Sequence, residues 1–181
     1  MLNFVMLIVV SLFTDGREQE HGGDFLTDQR GKYVVMHESD YEITQGYDFS
    51  VAIRDFFKEQ PMVLEKKDQL FVNGKAKLKS HAVIGNYVAG EVLYRLVFEK
   101  TTVGYRYWFT DLAYQPYVKD RYGKLVKAAI TPIPLERKLS KINQRVWERQ
   151  QASAYETIQL VSEKLDRYLQ QVGQPKTVEI P

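Results

Sequence analysis

Side chains that could carry out chemistry are few and scattered in this sequence. His21, His37 and His81 stand at no metal-ligand spacing with one another or with a carboxylate. The segment "HESD" at residues 37–40 combines a histidine, a serine and two acids, but it ends a predicted strand and is typical of a solvated turn. No nucleophile elbow, phosphate-binding glycine loop or paired-histidine motif is present, and there is no cysteine to act as nucleophile or zinc ligand. We therefore expect a protein that is not an enzyme and that needs no cofactor or metal.

A second pattern, cations beside aromatic residues, indicates a binding surface. On the predicted outer face of a sheet stand six such residues: Lys75, Lys77, Lys79, Arg95, Arg106 and Trp108. A face of this kind could bind phosphate, an anionic glycan or single-stranded nucleic acid through charge and stacking. A solvated antiparallel sheet face is also commonly polar and lysine-rich, so both interpretations stay open. The formal net charge of the whole chain is only +2, which does not show the concentrated basic excess of a duplex-binding protein.

The first strand that would present this face lies in residues 70–79, "LFVNGKAKLK". Apolar or small residues alternate here with Asn73 and the lysines, as on a strand with one buried face. Asn73-Gly74 is also a strong hairpin signal. A two-residue hairpin, however, would place Val72 opposite Lys75, an apolar–cationic pair. The preferred prediction is one unbroken strand.

Residues 91–99 and 105–112 predict the next two strands, joined by a turn at "KTTVG". The alternation turns Tyr107 inward, so we expect it to be buried, and turns Trp108 outward with Arg106, exposed and near the lysines of residues 75–79. Asp111 ends the second strand, where an aspartate commonly caps a turn. Beyond Leu112 the sequence predicts a loop, with a short strand at "KLVKAAI".

Two helices and one further strand complete the predicted elements. Residues 32–38 are β-branched and aromatic, as in a strand. The segment that follows, "YDFSVAIRDFFKEQP", places its apolar residues on one helical face and ends at Pro61. Apolar spacing from Trp147 to Val172 favours one long helix, although Ser153 and Glu156 could start a separate one as a capping box. No internal repeat is visible. This order predicts an α+β two-layer sandwich, an antiparallel sheet with two helices on one face.

The N-terminal residues read as a separate segment. "MLNFVMLIVVSLF" is as long as the apolar region of a signal peptide and too short to span a bilayer comfortably. It lacks a cationic start and a small-residue cleavage site, and a buried strand or helix is the alternative. We predict a signal or membrane-targeting segment at 1–14, a polar linker at 15–30, a single α+β domain at 31–172 and a tail at 173–181.

The chain also resembles a known family. The combination of "VNGKAK", "YRLVFEKTTVGYRYWFTDL", "PLERKL" and a terminal helix that begins near a tryptophan resembles a bacterial exported family of unknown function. That family is described as having a TATA-binding-protein-like fold, with a curved sheet. The resemblance covers about residues 30–172 and is most specific at "GYRYWFTDL". It implies export to the periplasm or cell envelope, and it carries no catalytic or ligand residues.

Two functional hypotheses follow. The first is a non-enzymatic, exported binding or interaction module of the bacterial cell envelope, with an envelope protein or an anionic ligand as partner. In that case the membrane is contacted only through the N-terminal segment, if it stays uncleaved, and nucleic acid is not the expected ligand. The alternative is a nucleic-acid-binding protein that uses the basic outer sheet face.

Overall fold

The computed structural model describes residues 25–39, 48–60, 62–66, 69–81, 86–102, 104–138 and 143–173. These residues form eight strands and two helices. In chain order they are β1 (Leu26–Thr27), β2 (Tyr33–Ser39), α1 (Phe49–Phe56), β3 (Met62–Lys66), β4 (Gln69–His81), β5 (Asn86–Lys100), β6 (Tyr105–Lys119), β7 (Leu125–Lys127), β8 (Ile133–Pro134) and α2 (Gln144–Gly173).

The strands form one antiparallel sheet in the order β1-β2-β6-β5-β4-β3. The short strands β7 and β8 pair with the second half of β6, beyond the part that pairs with β2. Helix α2 packs across β2, β4 and β6, and α1 packs against α2. The predicted fold class, a two-layer α+β sandwich with a curved antiparallel sheet, is confirmed.

Strand β4 is unbroken, as the alternation predicts. Asn73 and Gly74 form no turn, because they pair in register with Arg95 and Tyr94 of β5. The glycine has a packing reason instead: a Cβ atom at residue 74 would meet the ring of Tyr94, which is itself buried. A glycine in a strand interior commonly marks such a close approach. Gly74, which looked like part of a hairpin turn, is therefore needed to leave room for an aromatic ring.

The prediction of a loop beyond Leu112 was wrong, because β6 continues to Lys119. A β-bulge explains the error. Arg95 of β5 pairs with Thr110, whereas Leu93 pairs with Ala113, so β6 carries an extra residue between these pairs. The extra residue shifts the alternation by one position, and after it the even-numbered Leu112 and Tyr114 are the buried ones. A strict period of two cannot follow a strand through such a shift.

The core lies between the sheet and α2. Tyr107 is fully buried, which confirms the predicted phase of β6. Its hydroxyl group shares a hydrogen bond with the hydroxyl of Ser162 on α2, at 2.7 Å. Burial raises the pKa of the Tyr107 phenol. From α2, Ile158, Leu165 and Leu169 are buried in the same cluster.

Both helices form in the predicted segments, but α1 ends at Phe56, with Phe57 as its C-cap, earlier than the predicted end at Pro61. Asp48 caps α1 by accepting a hydrogen bond from the Ser50 backbone N–H at 2.8 Å. Helix α2 is one element of 30 residues, so Ser153 does not start a fresh helix. Its predicted end at Gly173 is confirmed. Neither helix combines the length and apolar character needed to cross a bilayer, as far as the described residues extend. The apolar run predicted as a targeting segment, and Pro61, lie outside the described residues.

Two β-hairpins share a short sequence repeat, although we expected no internal repeat. Residues 26–34 read "LTDQRGKYV" and residues 118–126 read "VKDRYGKLV". Both have Asp-x-x-Gly-Lys at the turn, and both pair their strands in the same register around it. The first hairpin, β1–β2, begins inside the segment that we predicted as a polar linker. The folded part of the chain therefore starts earlier than the predicted boundary at residue 31.

Candidate functional site

The predicted binding residues are distributed over the outer sheet face, opposite α2. Lys75 and Lys77 are exposed on β4, Arg95 is exposed on β5, and Arg106 and Trp108 are partly buried on β6. Lys79 lies on β4 as well, but its side chain lies outside the described part of the chain. The predicted phase of the outer face is therefore right for the five residues whose side chains are described.

The two arginines are already paired with carboxylates. Arg106 forms an ion pair with Glu99, with both Nε and one terminal nitrogen 2.6 Å from the same oxygen. Arg95 lies 3.3 Å from a carboxylate oxygen of Asp111, and its Nε donates to Asn73 at 3.3 Å. The outer face is consequently less basic than its cations alone suggest.

Trp108 is only partly exposed and lies apart from the lysines, contrary to our expectation. It pairs in register with Met36 of β2 and Val97 of β5, and Val97 pairs with Phe71 of β4. These four residues form an apolar row across the outer face. Val97 is buried, although it does not belong to the core cluster under α2. Lys75 lies four residues beyond Phe71, about 13 Å along the strand and two strands away from β6.

The lysines of β4 lie on a strand that, beyond Val72, has no strand partner on this side among the described residues. Strand β3 pairs with β4 only as far as Val72. At residue 75 the side chain of Gln60 takes the place of a neighbouring strand: its Oε1 accepts from the Lys75 N–H at 3.1 Å, and its Nε2 donates to the Lys75 carbonyl at 3.4 Å. Lysines on such an edge discourage pairing with another chain. This structural role accounts for part of the lysine pattern.

One cleft on the outer face brings two predicted residues together. Its volume is about 420 Å³. Lys75 with Leu93 and Asn73 with Arg95 are cross-strand pairs on its two sides, and the backbone of Gly74 and Tyr94 runs between them. The lining is completed at the ends by Glu59, Gln60 and Asp111. Lys77, Arg106 and Trp108 are not part of the lining.

For Asp111 the structure differs most from the predicted role. We expected it to cap a turn, but it sits in the β6 bulge with a φ of 51°, in the left-handed region. Its carboxylate lies 3.6 Å from Arg30 and 3.3 Å from Arg95. Arg30 also donates to the hydroxyl of Thr110 at 3.0 Å. The bulge therefore directs the Asp111 carboxylate onto the outer face, where two guanidinium groups hold it.

Glu59, Gln60 and Asn73 were also missed. Glu59 and Gln60 follow helix α1, and they reach the cleft only because the chain then turns along the edge of β4. No local pattern predicts a contact across 15 residues. Asn73 had a local signal, but that signal was for a turn.

The fold is similar to those of two solved bacterial proteins. One is a TBP-like protein from Parabacteroides distasonis ATCC 8503, with a TM-score of 0.52, 14% identity, and coverage of 79% of this chain and 96% of that one. The other is a DUF4468 family protein from Bacteroides ovatus ATCC 8483, with a TM-score of 0.52, 13% identity, and coverage of 87% and 95%. At these identities the likeness shows the TBP-like fold alone. No protein-family model matches the chain, and no curated protein does.

Proposed function

We propose that this chain is a non-enzymatic binding module of the bacterial cell envelope, and that it binds an anionic glycan in the outer-face cleft. The observation that carries the proposal is the convergence of Lys75 and Arg95 on that cleft. Two side chains placed diagonally on adjacent strands lie about 7–8 Å apart. That spacing lets both cations reach one carboxylate or sulfate group above the backbone of Gly74. Arg95 contacts Asp111 through one terminal nitrogen and Asn73 through Nε, so its other terminal nitrogen is the one we assign to the ligand.

The remaining lining suits a sugar. Gln60 and Asn73 offer amide groups to hydroxyls, and Leu93 offers an apolar contact. Specific polar groups around a small apolar surface are typical of ligand sites. Lys75 is exposed and forms no ion pair with any described residue. Asp111 is held between two arginines, which favours a structural role over that of a catalytic acid.

The alternative ligand, single-stranded nucleic acid, has weaker support. Its binding relies on aromatic rings on which bases stack beside the cations. The ring of Tyr94 is buried on the opposite side of the sheet, and Trp108 stands in the apolar row. The cleft therefore offers charge without a stacking surface.

Export is the second part of the proposal. The apolar run at residues 1–13 and the polar, glycine-bearing segment after it support a secreted or membrane-held form. N-terminal sequencing of the protein from fractionated host cells tests this part. Recovery in the cytoplasm with an intact N-terminus would contradict it.

The cleft is tested by titrating the full chain with an oligogalacturonate at low and high salt. Lys75→Gln and Arg95→Gln should each weaken binding about tenfold, as expected for a charge-assisted contact. The control is Lys77→Gln, which removes the same charge on the same strand outside the lining. Equal losses of affinity in all three variants would show diffuse electrostatic attraction and would contradict the cleft as the binding site. Binding of an oligothymidylate in place of the glycan would favour the alternative.

A further inference from the structure

The β6–β7 hairpin, residues 117–127, has a surface that the proposed function does not use. The last pair between β5 and β6 joins Gly90 to Pro116, and beyond it the described partner of β6 is β7. The hairpin thus separates from β5 at this point, while β5 continues to pair with β4 as far as Asn86. It belongs to neither the outer-face cleft nor the core.

Local hydrogen bonds hold the turn of this hairpin. The Asp120 N–H donates to the Lys124 carbonyl at 2.9 Å, and the Gly123 N–H donates to the Asp120 carbonyl at 3.0 Å. The Asp120 carboxylate accepts from the N–H groups of Tyr122 and Lys124, at 2.8 and 2.9 Å. These bonds fix the shape of the tip that would meet a partner.

The side chains of the tip are both apolar and cationic. Val118, Tyr122 and Leu125 have exposed fractions of 47%, 78% and 38%. Three exposed cations alternate with them along the chain: Lys119, Arg121 and Lys124. The guanidinium of Arg121 lies over the Tyr122 ring, 4.7 Å from its centroid. Asp120, the one acid between these residues, is engaged by the turn.

The apolar residues lie on both faces of the hairpin. Val118 pairs in register with Val126, and the next pair, Lys119 with Leu125, points to the opposite side. A surface that lies flat against a partner would need them on one face. An end-on contact suits this arrangement better, and the distance from Val118 to the tip, roughly 7–10 Å, matches the depth of the bilayer interface.

We propose that the tip of the β6–β7 hairpin binds the surface of an anionic lipid bilayer. Val118, Tyr122 and Leu125 enter the interfacial region, where amphipathic aromatic rings are favoured. The cations stay at the level of the lipid phosphates, with their aliphatic stems beside the acyl boundary. The exposed aliphatic side chains favour lipid over nucleic acid, since phosphates and base edges offer them little contact.

The absence of cysteine from the chain allows a site-specific test. Val118→Cys and Leu26→Cys place one environment-sensitive fluorophore at the same position of the two related hairpins. Both residues are exposed, at 47% and 51%. Both variants carry the whole N-terminal segment, so its contribution to vesicle binding is the same in both. With mixed phosphatidylcholine–phosphatidylglycerol vesicles, the emission of the label at 118 should shift to the blue and that of the label at 26 should stay unchanged.

A charge variant completes the experiment. Each surface cation contributes about fivefold to partitioning, so Arg121→Gln with Lys124→Gln should weaken the response at 118 roughly 25-fold. Both side chains are exposed, and circular dichroism should show an unchanged fold. Equal shifts at 118 and 26, no shift at 118, or an undiminished shift in the charge variant would overturn the proposal. So would an equal shift with pure phosphatidylcholine, or a response to an oligothymidylate without one to vesicles.

Discussion

Residues 26–34 and 118–126 form two hairpins with the same turn pattern and different surroundings. In each turn the first aspartate accepts hydrogen bonds from two backbone N–H groups, and the glycine has a positive φ, 72° at Gly31 and 77° at Gly123. The local sequence is sufficient for this geometry, because only a glycine adopts the left-handed conformation without strain.

The first hairpin is tied to the rest of the molecule. Lys32 pairs with Glu136, and Arg30 contacts Asp28, Thr110 and Asp111. The ring of Tyr33 stacks on that of Phe25, with centroids 4.9 Å apart. The Phe25 ring meets the edge of Tyr155 on α2 at 5.1 Å. The corresponding positions of the second hairpin, from Arg121 to Leu125, are exposed.

The comparison of the two hairpins shows that tertiary surroundings decide whether a turn cation forms an ion pair or faces solvent. The β6 bulge places Asp111 beside the first turn, so Arg30 becomes a structural contact of the outer face. No such carboxylate stands beside Arg121 among the described residues. Three cations near the second turn, Lys119, Arg121 and Lys124, are therefore available to a partner. Lys127, at the base of the same hairpin, pairs with Glu91. The two cations of the first turn, Arg30 and Lys32, are both paired.

The two hairpins should differ most in the stability lost when the residue after the turn lysine is changed to alanine. Tyr33→Ala should lower the free energy of unfolding by about 2–3 kcal/mol, because it removes a stacked ring that links β2 to α2 through Phe25. Leu125→Ala, at the matching position, should cost less than about 0.5 kcal/mol, since its side chain is largely solvated. Urea unfolding of both variants measures the difference, and similar costs would show that the second hairpin is also packed.

Replacing the turn aspartates should give a smaller difference in the free energy of unfolding. Asp28→Ala should cost about 2 kcal/mol and Asp120→Ala about 1 kcal/mol, because both lose the bonds to the turn N–H groups and only Asp28 also pairs with an arginine.

The contribution of Asp28 should depend on pH. Burial alone would raise the pKa of its carboxyl, but hydrogen bonds from Lys32 and Arg30 outweigh burial and lower it below the ordinary 3.8. A group whose pKa is lower in the folded state stabilises the fold above its ordinary pKa and loses this effect as the pH falls through the folded value. The gap between the native chain and Asp28→Ala should thus be widest near neutral pH and shrink below 3.8. A gap that grows on acidification would contradict the assignment.

The two hairpins should differ least in the stability lost when the turn glycine is changed to alanine. Gly31→Ala and Gly123→Ala should each cost about 1 kcal/mol, because alanine is strained at positive φ. No atom lies within 4 Å of a Cβ at either position, so packing adds nothing. Equal losses in thermal unfolding are expected. Unequal ones would mean that the two turns differ in more than their surroundings.

Much of the fold could be predicted from single residues and their spacing. The phase of β4, β5 and the first part of β6 follows from period-two alternation, which reflects which face meets the core. The length of α2 follows from its apolar spacing in the same way. These features can be seen locally, because the apolar pattern that indicates them repeats every two to four residues.

The site could be predicted only in part. Lys75 and Arg95 were found through strand phase, but phase says nothing about how far one strand slides past another. The register places Trp108 opposite Val97 and leaves it far from the lysines. Gln60 and Arg30 reach the outer face from remote segments, and such contacts leave no periodic trace in the sequence.

The sequence by itself determined the turn geometry, the buried face of β4, β5 and the first part of β6, and the run of α2. It did so because glycine conformation, hydrogen bonding by a nearby aspartate and apolar periodicity act over a few residues. The tertiary structure decided which cations are paired and which face solvent. One extra residue in β6 changed the strand's phase and brought Asp111 beside Arg30 and Arg95. The partner of a charge depends on strand register and chain crossing, and these are fixed only when the whole sheet has assembled.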